Sequence, residues 1–445
     1  VTKKSLPVVD VVLEKIVGGG QSLGVLEDGR KVFVWGGLPD EEVRVQLAKK
    51  KASYAEGYVV EVLKASPERI APRDTESYLS TSPWQIMALT TEQRYKAALI
   101  EEAFELHDIV LPNPIDIYTD GCEYHYRNKV EFSWYSQTVD NDEGAPSHKL
   151  DLAFFRRGSK GKIPLQSSAL LPQSMIHLAH EIRDFLQEKG IEARSLKTLL
   201  IRCNAQGECV WQLYVKDEDF SFINEAEATT FTALGGEVIY SNPQSPASVI
   251  TRRMLAVGET TLTDTILGTP FRYATEGFFQ VNIPVYEQAL RDMKEWVEVG
   301  RPVVDLYSGV GSIGLTIGGD DVTLVEVNEH AVREMQRNVE LLEKKATPVL
   351  AASEQALDYI VSGKTIIVDP PRAGLHEAVI ERLLEQKPAR IIYLSCNPVT
   401  QARDVARLAT EYGIKHHLGY NFFPHTPHIE HLVVLDLYPG PSNEL

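Results

Sequence analysis

Cys396 stands in Ser395-Cys396-Asn397-Pro398, directly after the apolar run RIIYLS. A thiol at such a place can attack an electrophilic carbon, or can simply fill a core. Asp369-Pro370-Pro371-Arg372 closes an earlier apolar run, TIIVDPP. Two prolines there make a stiff exit that points the acid toward the crevice where α/β sheets bind ligands. Near the C-terminal end, Phe422-Phe423-Pro424-His425-Thr426-Pro427-His428-Ile429-Glu430-His431 gathers titratable groups before a last apolar run. Protonatable groups beside a thiol suit acid–base work.

A fourth run, Asp305-Leu-Tyr-Ser-Gly309-Val-Gly311-Ser-Ile-Gly314, follows one strand-like segment and opens a helix-like one. Its glycines let the backbone turn tightly and approach a nucleotide-like ligand. Taken alone, the glycine pattern fits a nicotinamide or flavin equally well. Glu326 ends the next apolar run, where its carboxylate can accept from both hydroxyls of a ribose. It lies twelve residues after Gly314, closer than the roughly 20 of the usual dinucleotide pattern. A sulfonium nucleoside has no pyrophosphate and does not need the loop as an anion cradle.

These residues need elements to hold them. From about residue 295 onward, PVVDLYS, DVTLVEV, TIIVDPP, RIIYLS and HLVVLDLY alternate with helical patterns. That alternation predicts a parallel, doubly wound Rossmann-like sheet with helices on both faces. Residues 8–64 predict five or so short strands punctuated by Gly18-Gly19-Gly20, Asp28-Gly29 and Gly36-Gly37, a small barrel of the oligonucleotide-binding type. Pro67, Pro72 and Pro83 mark a linker, after which TTEQRYKAALIEEAFEL predicts an amphipathic helix. The stretch from about 120 to 270 is mixed: strands in YRNKVEFSWYS and ECVWQLYV, a helix in SMIHLAHEIRDFLQEKG ended by Gly190, and a turn-rich loop in TVDNDEGAPSHK. The division is therefore a barrel over 1–68, an α+β domain over 69–270, and an α/β domain over 271–445.

Composition narrows the setting. The formal charge of −17 argues against wholesale wrapping by nucleic acid. A nucleic-acid site has to be a local basic surface, with Lys49-Lys50-Lys51, Arg156-Arg157 plus Lys160 and Lys162, and Arg252-Arg253 as candidates. Each is equally readable as a solvated face. No apolar run reaches the roughly 18 residues of a membrane span, and no signal-peptide core is evident. Cys122, Cys203, Cys209 and Cys396 are scattered without zinc spacing. A metal site and a disulfide framework are not expected, and the address reads as reducing and cytoplasmic.

Together, DLYSGVGSIGL, VEVN, IIVDPPRAGL, YLSCNP and FPHTPHIE, with EGFFQVN upstream, resemble the RNA 5-methyluridine methyltransferase family. The barrel, YRNKVEF and SPERIAPR extend the likeness to its 23S ribosomal RNA branch with an N-terminal TRAM domain. The resemblance implies S-adenosylmethionine as methyl donor, Cys396 as nucleophile, Glu430 as base, and Asp369 holding uracil or cofactor. It implies cofactor contacts at Gln280, Tyr307, Gly309, Gly311, Ser312, Glu326 and Asp369. Phe278, Arg372, Lys51 and Arg127 fall where the substrate RNA is expected. Many relatives carry an iron–sulfur cluster just after the barrel, but APRDTESYLSTSPWQIM has no cysteine. No cluster is expected, with packing around Tyr78 or Trp84 in its place. A monomer acting on ribosomal rather than transfer RNA is the expectation. Cys396 should be a thiolate with a lowered pKa. A nicotinamide oxidoreductase leaves DPPR, SCNP and Glu430 without roles; a non-catalytic RNA-binding protein stays open.

Overall fold

A computed structural model describes residues 6–140, 146–159 and 161–439. The chain divides into two compact units. The first runs up to Glu92 and includes Cys122–Leu262 and Pro424–Pro427. The second takes in Gln93–Gly121, Thr263–Phe423 and the chain from His428 onward.

The first unit opens with a closed five-stranded barrel: Val8–Ile16, Ser22–Val25, Lys31–Trp35, Glu42–Lys50 and Tyr54–Lys64. Alternation builds it. In Glu42–Lys50, Val43, Val45 and Leu47 turn inward and are buried, while the residues between them face outward. The same unit holds a seven-stranded sheet covered by the helix Gln173–Glu188. That helix buries Met175, Ile176, Leu178, Ala179, Ile182 and Leu186, the spacing of one apolar face.

Two expectations need correction in this sheet. The polar stretch TVDNDEGAPSHK is largely strand: Lys129–Asp140 and Pro146–Phe155 pair as an antiparallel hairpin. Only residues 141–145 of it lie outside the described chain. A polar sequence does not exclude a strand, because backbone hydrogen bonds form the ladder. Cys203 and Cys209 end and begin neighbouring strands, are Cα partners, and are joined by a disulfide. Antiparallel register brings the two thiols face to face, which their spacing in the sequence did not suggest.

The second unit is built on an eight-stranded sheet. Its order is Ala346–Leu350, Val322–Glu326, Val303–Leu306, Thr365–Val368, Arg390–Ser395, Glu430–Leu437, Tyr412–Tyr420 and Ile117–Tyr118. The first five run parallel. Glu430–Leu437 pairs antiparallel with both its neighbours, a departure from the all-parallel expectation. Val303–Leu306, Thr365–Val368 and most of Arg390–Ser395 are fully buried, as expected of strands covered on both faces. Strand order reverses between Val303–Leu306 and Thr365–Val368, and a crevice opens at their carboxyl ends. The second unit is thus an α/β fold, and the first opens with the five-stranded barrel. Among the described residues, no helix is long and apolar enough to cross a membrane.

Candidate active site

The glycine run is held from below by Asp305. Its carboxylate, fully buried, accepts the Gly314 backbone N–H at 2.9 Å. Burial pushes this acid up to about 8. Asp305 thus braces the loop from beneath. Glu326 holds the loop from the side: its carboxylate accepts the N–H of Gly309 at 3.0 Å and that of Asn328 at 2.7 Å. Tyr307 takes a left-handed backbone, φ 65°. Its hydroxyl accepts a hydrogen bond from Ser353 at 2.7 Å.

Two concavities flank Tyr307. One, of about 560 Å³, is lined by Tyr307, Ser353, Glu354, Pro371 and the 373–377 turn, with Arg403 and Arg407 at its rim. A smaller one is lined by Phe278, Gln280, Tyr286, Gly309, Ser312 and Asp369 among others. Gln280 is buried there, whereas Phe278 is 73% exposed. Tyr286, which the sequence did not single out, is buried with its hydroxyl 2.8 Å from Ser312.

Asp369 and Cys396 leave adjacent parallel strands at the same end. Asn397 joins their turns. Its side-chain carbonyl caps the helix Pro398–Leu408 by accepting the Val399 N–H, and its amide donates to the Arg372 carbonyl at 2.8 Å. Thr400 donates to the same carbonyl. Asp404, buried on that helix, accepts from Leu375 and from the Tyr393 hydroxyl, each at 2.8 Å. The Asp369–Arg372 exit is therefore tied to the Cys396 turn at several points.

Glu430 comes from the antiparallel strand. Ser395 pairs with His431, so the next residues outward, Cys396 and Glu430, stand opposite each other at the sheet end. Electrostatics reflect that crowding. Burial, then Glu430 and Asp369, push the Cys396 thiol up to about 12, with Arg372 pulling the other way. Burial pushes Asp369 up to about 7. Burial and Asp369 hold Glu430 well above the usual carboxylate range, against the pull of Arg372 and Lys96. The expectation of a lowered thiol pKa is overturned: two acids from distant parts of the chain face the sulfur, and one arginine does not offset them.

The titratable run before the last strand does not act as one cluster. His431 is buried, hydrogen-bonded to Gln401 at 2.7 Å, and kept neutral by burial. His428 meets Arg372 at 3.1 Å. His425 belongs to the first unit, where it stacks on Tyr124 and lies 3.1 Å from Glu123.

The basic candidates of the first unit sort unevenly. Lys50 and Lys51 are exposed; Lys49 is paired with Glu56 at 2.6 Å and lies over the Tyr54 ring. Arg157 stacks on Trp35 and donates to the Leu79 carbonyl, and Lys162 donates to the Trp134 carbonyl at 2.6 Å. Arg253 pairs with Glu237. Lys160 lies outside the described residues. Arg127 is partly buried, its backbone N–H on the Leu170 carbonyl. Trp84 is buried and donates to the Gly20 carbonyl at 3.0 Å, while Tyr78 is half-buried.

Comparison with known proteins agrees with this geometry. The tRNA (uracil-5-)-methyltransferase family model matches residues 355–437, which include Asp369, Cys396 and Glu430. An uncharacterised RNA methyltransferase of Enterococcus faecalis is 29% identical, over 93% of this chain and 94% of its own. One from Fusobacterium nucleatum is 26% identical over 96% of each. The tRNA (uracil-54, C5)-methyltransferase of Pyrococcus abyssi, solved with S-adenosyl-L-homocysteine, superposes with a TM-score of 0.75 at 22% identity. That match covers 96% of this chain and all of the other, and it shows the fold. Along nearly its whole length the chain is similar to RNA methyltransferases, and over residues 355–437 to the tRNA (uracil-5-)-methyltransferase family.

Proposed function

We propose that this protein methylates carbon 5 of a uridine in 23S ribosomal RNA, with Cys396 as nucleophile and Glu430 as base. The observation that carries this reading is the placement of Cys396 opposite Glu430, with Asp369 on the adjoining strand. The ribosomal substrate rests on the resemblance of the barrel-bearing chain to the ribosomal RNA branch. Transfer RNA is the second reading, favoured by the Pyrococcus abyssi enzyme, whose entire length is matched by this chain.

The residues around the crevice fit S-adenosylmethionine. Glu326 stands at a strand end beside Gly309, where a ribose can meet its carboxylate, and the glycine backbone leaves room next to it. A Cβ added at Gly309 meets nothing within 4 Å. Gln280, Tyr307, Gly311, Ser312 and Asp369 complete the cofactor contacts of this reading, and the cleft beside Tyr307 and Ser353 takes the adenine end. When bound, the cofactor supplies an electrophilic methyl group on a good leaving group.

Carbon 5 of uracil is a poor nucleophile until a sulfur adds at carbon 6. As the Cys396 sulfur bonds to carbon 6, its proton passes to Asp369. The electron pair of the ring double bond moves toward the carbon-4 carbonyl, giving an enolate whose carbon 5 accepts the methyl group. Glu430 then removes the proton left on carbon 5. That pair restores the double bond and expels the Cys396 sulfur, which recovers its proton. A target stacked in folded RNA has to be flipped out, and the exposed Phe278 ring offers it a stacking face. Arg372 meets the backbone near that base.

The barrel (1–68) and the central domain (69–270) grip RNA in this reading, with Lys51 and Arg127 as contacts, and 271–445 carries the chemistry. No iron–sulfur cluster belongs to it: of four cysteines, two are joined to each other and a third is Cys396. The reading is of a monomer, acting in the cytoplasm. The test is transfer of labelled methyl to unmodified 23S ribosomal RNA and transfer RNA, offered separately, with Cys396→Ala alongside. Labelled 5-methyluridine in ribosomal RNA supports the proposal; label in transfer RNA alone replaces the substrate; no label in either overturns the activity.

A further inference from the structure

Arg372 and His428 come from opposite sides of the strand that carries Cys396. In the sheet, Arg390–Ser395 lies between Thr365–Val368, which leads into the 369–372 exit, and Glu430–Leu437, which His428 precedes by two residues. Their side chains meet: Arg372 Nη2 stands 3.1 Å from His428 Nδ1. A guanidinium can only donate, so Nδ1 accepts and the ring hydrogen sits on Nε2. His428 is half-buried, and its ring meets that of Phe423 edge-on, with centroids 5.6 Å apart. The Arg372 backbone is fixed separately, its carbonyl accepting from Asn397 and Thr400. Arg372 is exposed, and a long exposed side chain without an anchor samples many rotamers. Among the described residues, His428 is the hydrogen-bond partner that holds its guanidinium.

We propose that His428 is a positioning residue for sulfur addition: it holds the Arg372 guanidinium beside the Cys396 turn, where that charge meets the negative charge forming on the ring. This rests on the reading of Cys396 as nucleophile. In that step the bond from sulfur to carbon 6 forms, the thiol proton goes to Asp369, and the ring pair moves to the carbon-4 oxygen. His428 gives and takes no proton. Negative charge thus moves from Asp369 to the ring, with Glu430 close by. A cation already fixed in place offsets it without reorganising at the moment of reaction. Arg372 lies within electrostatic reach, since it pulls both the Cys396 thiol and Glu430 toward their charged forms. At rest, burial and the two acids outweigh that pull and the sulfur stays a thiol. The guanidinium therefore acts on charge that appears only during addition.

The experiment times addition apart from the base step. Fluorine at carbon 5 cannot leave as a proton does, so a 5-fluorouridine transcript stops at the methylated adduct. Full-length wild type, His428→Ala, His428→Asn, His428→Gln, Arg372→Ala and the double variant of both alanines are mixed with S-adenosylmethionine and that transcript. Adduct resistant to denaturing electrophoresis is then followed in time. His428→Ala should form adduct about tenfold more slowly at saturating RNA. The side-chain oxygen of Asn stands near the place of Nδ1, and that of Gln nearer Nε2. Asn should therefore recover most of the rate and Gln little. The double variant should be no slower than Arg372→Ala, because His428 acts through the arginine. Losses that multiply in the double variant, or Asn and Gln behaving alike, overturn the inference. So does weaker RNA binding with an unchanged rate at saturation, the mark of a residue that only holds RNA. If His428→Ala does not fold, as judged by melting with S-adenosylhomocysteine, the comparison of Asn with Gln decides. Alkylation of Cys396 by iodoacetamide, followed by peptide mass, needs no RNA and should rank the variants in the same order. That order without adduct on any RNA sinks the methylation reading and supports the placement of Arg372 by His428. Adduct in the wild type with no order among the variants sinks only the role of His428.

Discussion

Glu326 accepts the backbone N–H of Gly309 at 3.0 Å, so the acid at the end of one strand holds the loop that leaves its neighbour. Its other oxygen takes the Asn328 N–H, which starts the helix Glu329–Leu341. The same carboxylate is the group proposed to receive the ribose. Binding therefore asks Glu326 to exchange or share backbone partners with the ligand.

The first prediction concerns that exchange. Glu326→Gln keeps the shape but loses the charge that strengthens each accepted hydrogen bond, a difference of about 1–2 kcal/mol. S-adenosylhomocysteine should bind about tenfold more weakly by calorimetry, and the unliganded melting temperature should fall too, since the Gly309 and Asn328 N–H groups donate to the same carboxylate. Unchanged affinity would remove Glu326 from the cofactor site.

A second prediction comes from Asp305, whose carboxyl is pushed from 3.8 to about 8 by burial. Between those values the folded chain binds one more proton than the unfolded chain. Its stabilising contribution is therefore complete below the lower value and is lost as pH rises through about 8. Asp305→Asn retains an oxygen for the Gly314 N–H and cannot ionise. The melting temperature of the wild type should fall from about pH 6 to about pH 9 more steeply than that of Asp305→Asn. Parallel curves would show that Asp305 does not titrate in that window.

The third prediction contrasts two glycines of one loop. A Cβ at Gly314 lies 2.4 Å from Leu324 and 2.9 Å from the Asp305 carboxylate, so Gly314→Ala must displace the packing beneath the loop. A Cβ at Gly309 meets nothing, and only the left-handed backbone, φ 57°, resists it, at about 1 kcal/mol. Gly314→Ala should lower the melting temperature markedly more than Gly309→Ala, while Gly309→Ala should chiefly weaken S-adenosylhomocysteine binding. The reverse order would mean that the loop is supported differently.

The strands that carry the candidate site were readable because they are buried on both faces and leave continuous apolar text: VVDL, TIIV and RIIYLS. Ala346–Leu350 and Tyr412–Tyr420 escaped notice because half-exposed strands mix polar residues into the run. Ile117–Tyr118 is two residues long and exists only through its partner strand. The positions of Asp369, Cys396 and Glu430 at the strand ends were visible in their motifs. Their mutual electrostatics were not, because the charges facing Cys396 come from residues 369, 372 and 430, brought together by strand order alone. Lys96, Tyr286 and Asp404 were invisible for the same reason: each matters through a partner remote in sequence.

The last prediction tests the barrel. Lys51 is exposed, whereas Lys49 is paired with Glu56 and lies over Tyr54. A phosphate contact by Lys51 releases a counterion, and a contact by Lys49 must first break an ion pair. Lys51→Ala should weaken binding to the methyl-accepting RNA and lower the slope of log affinity against log salt by about 0.7. Lys49→Ala should change that slope less, since Glu56 already neutralises most of what the lysine offers. Both variants should leave S-adenosylhomocysteine binding untouched. Equal salt slopes for wild type and Lys51→Ala would place the RNA on another face of the first unit.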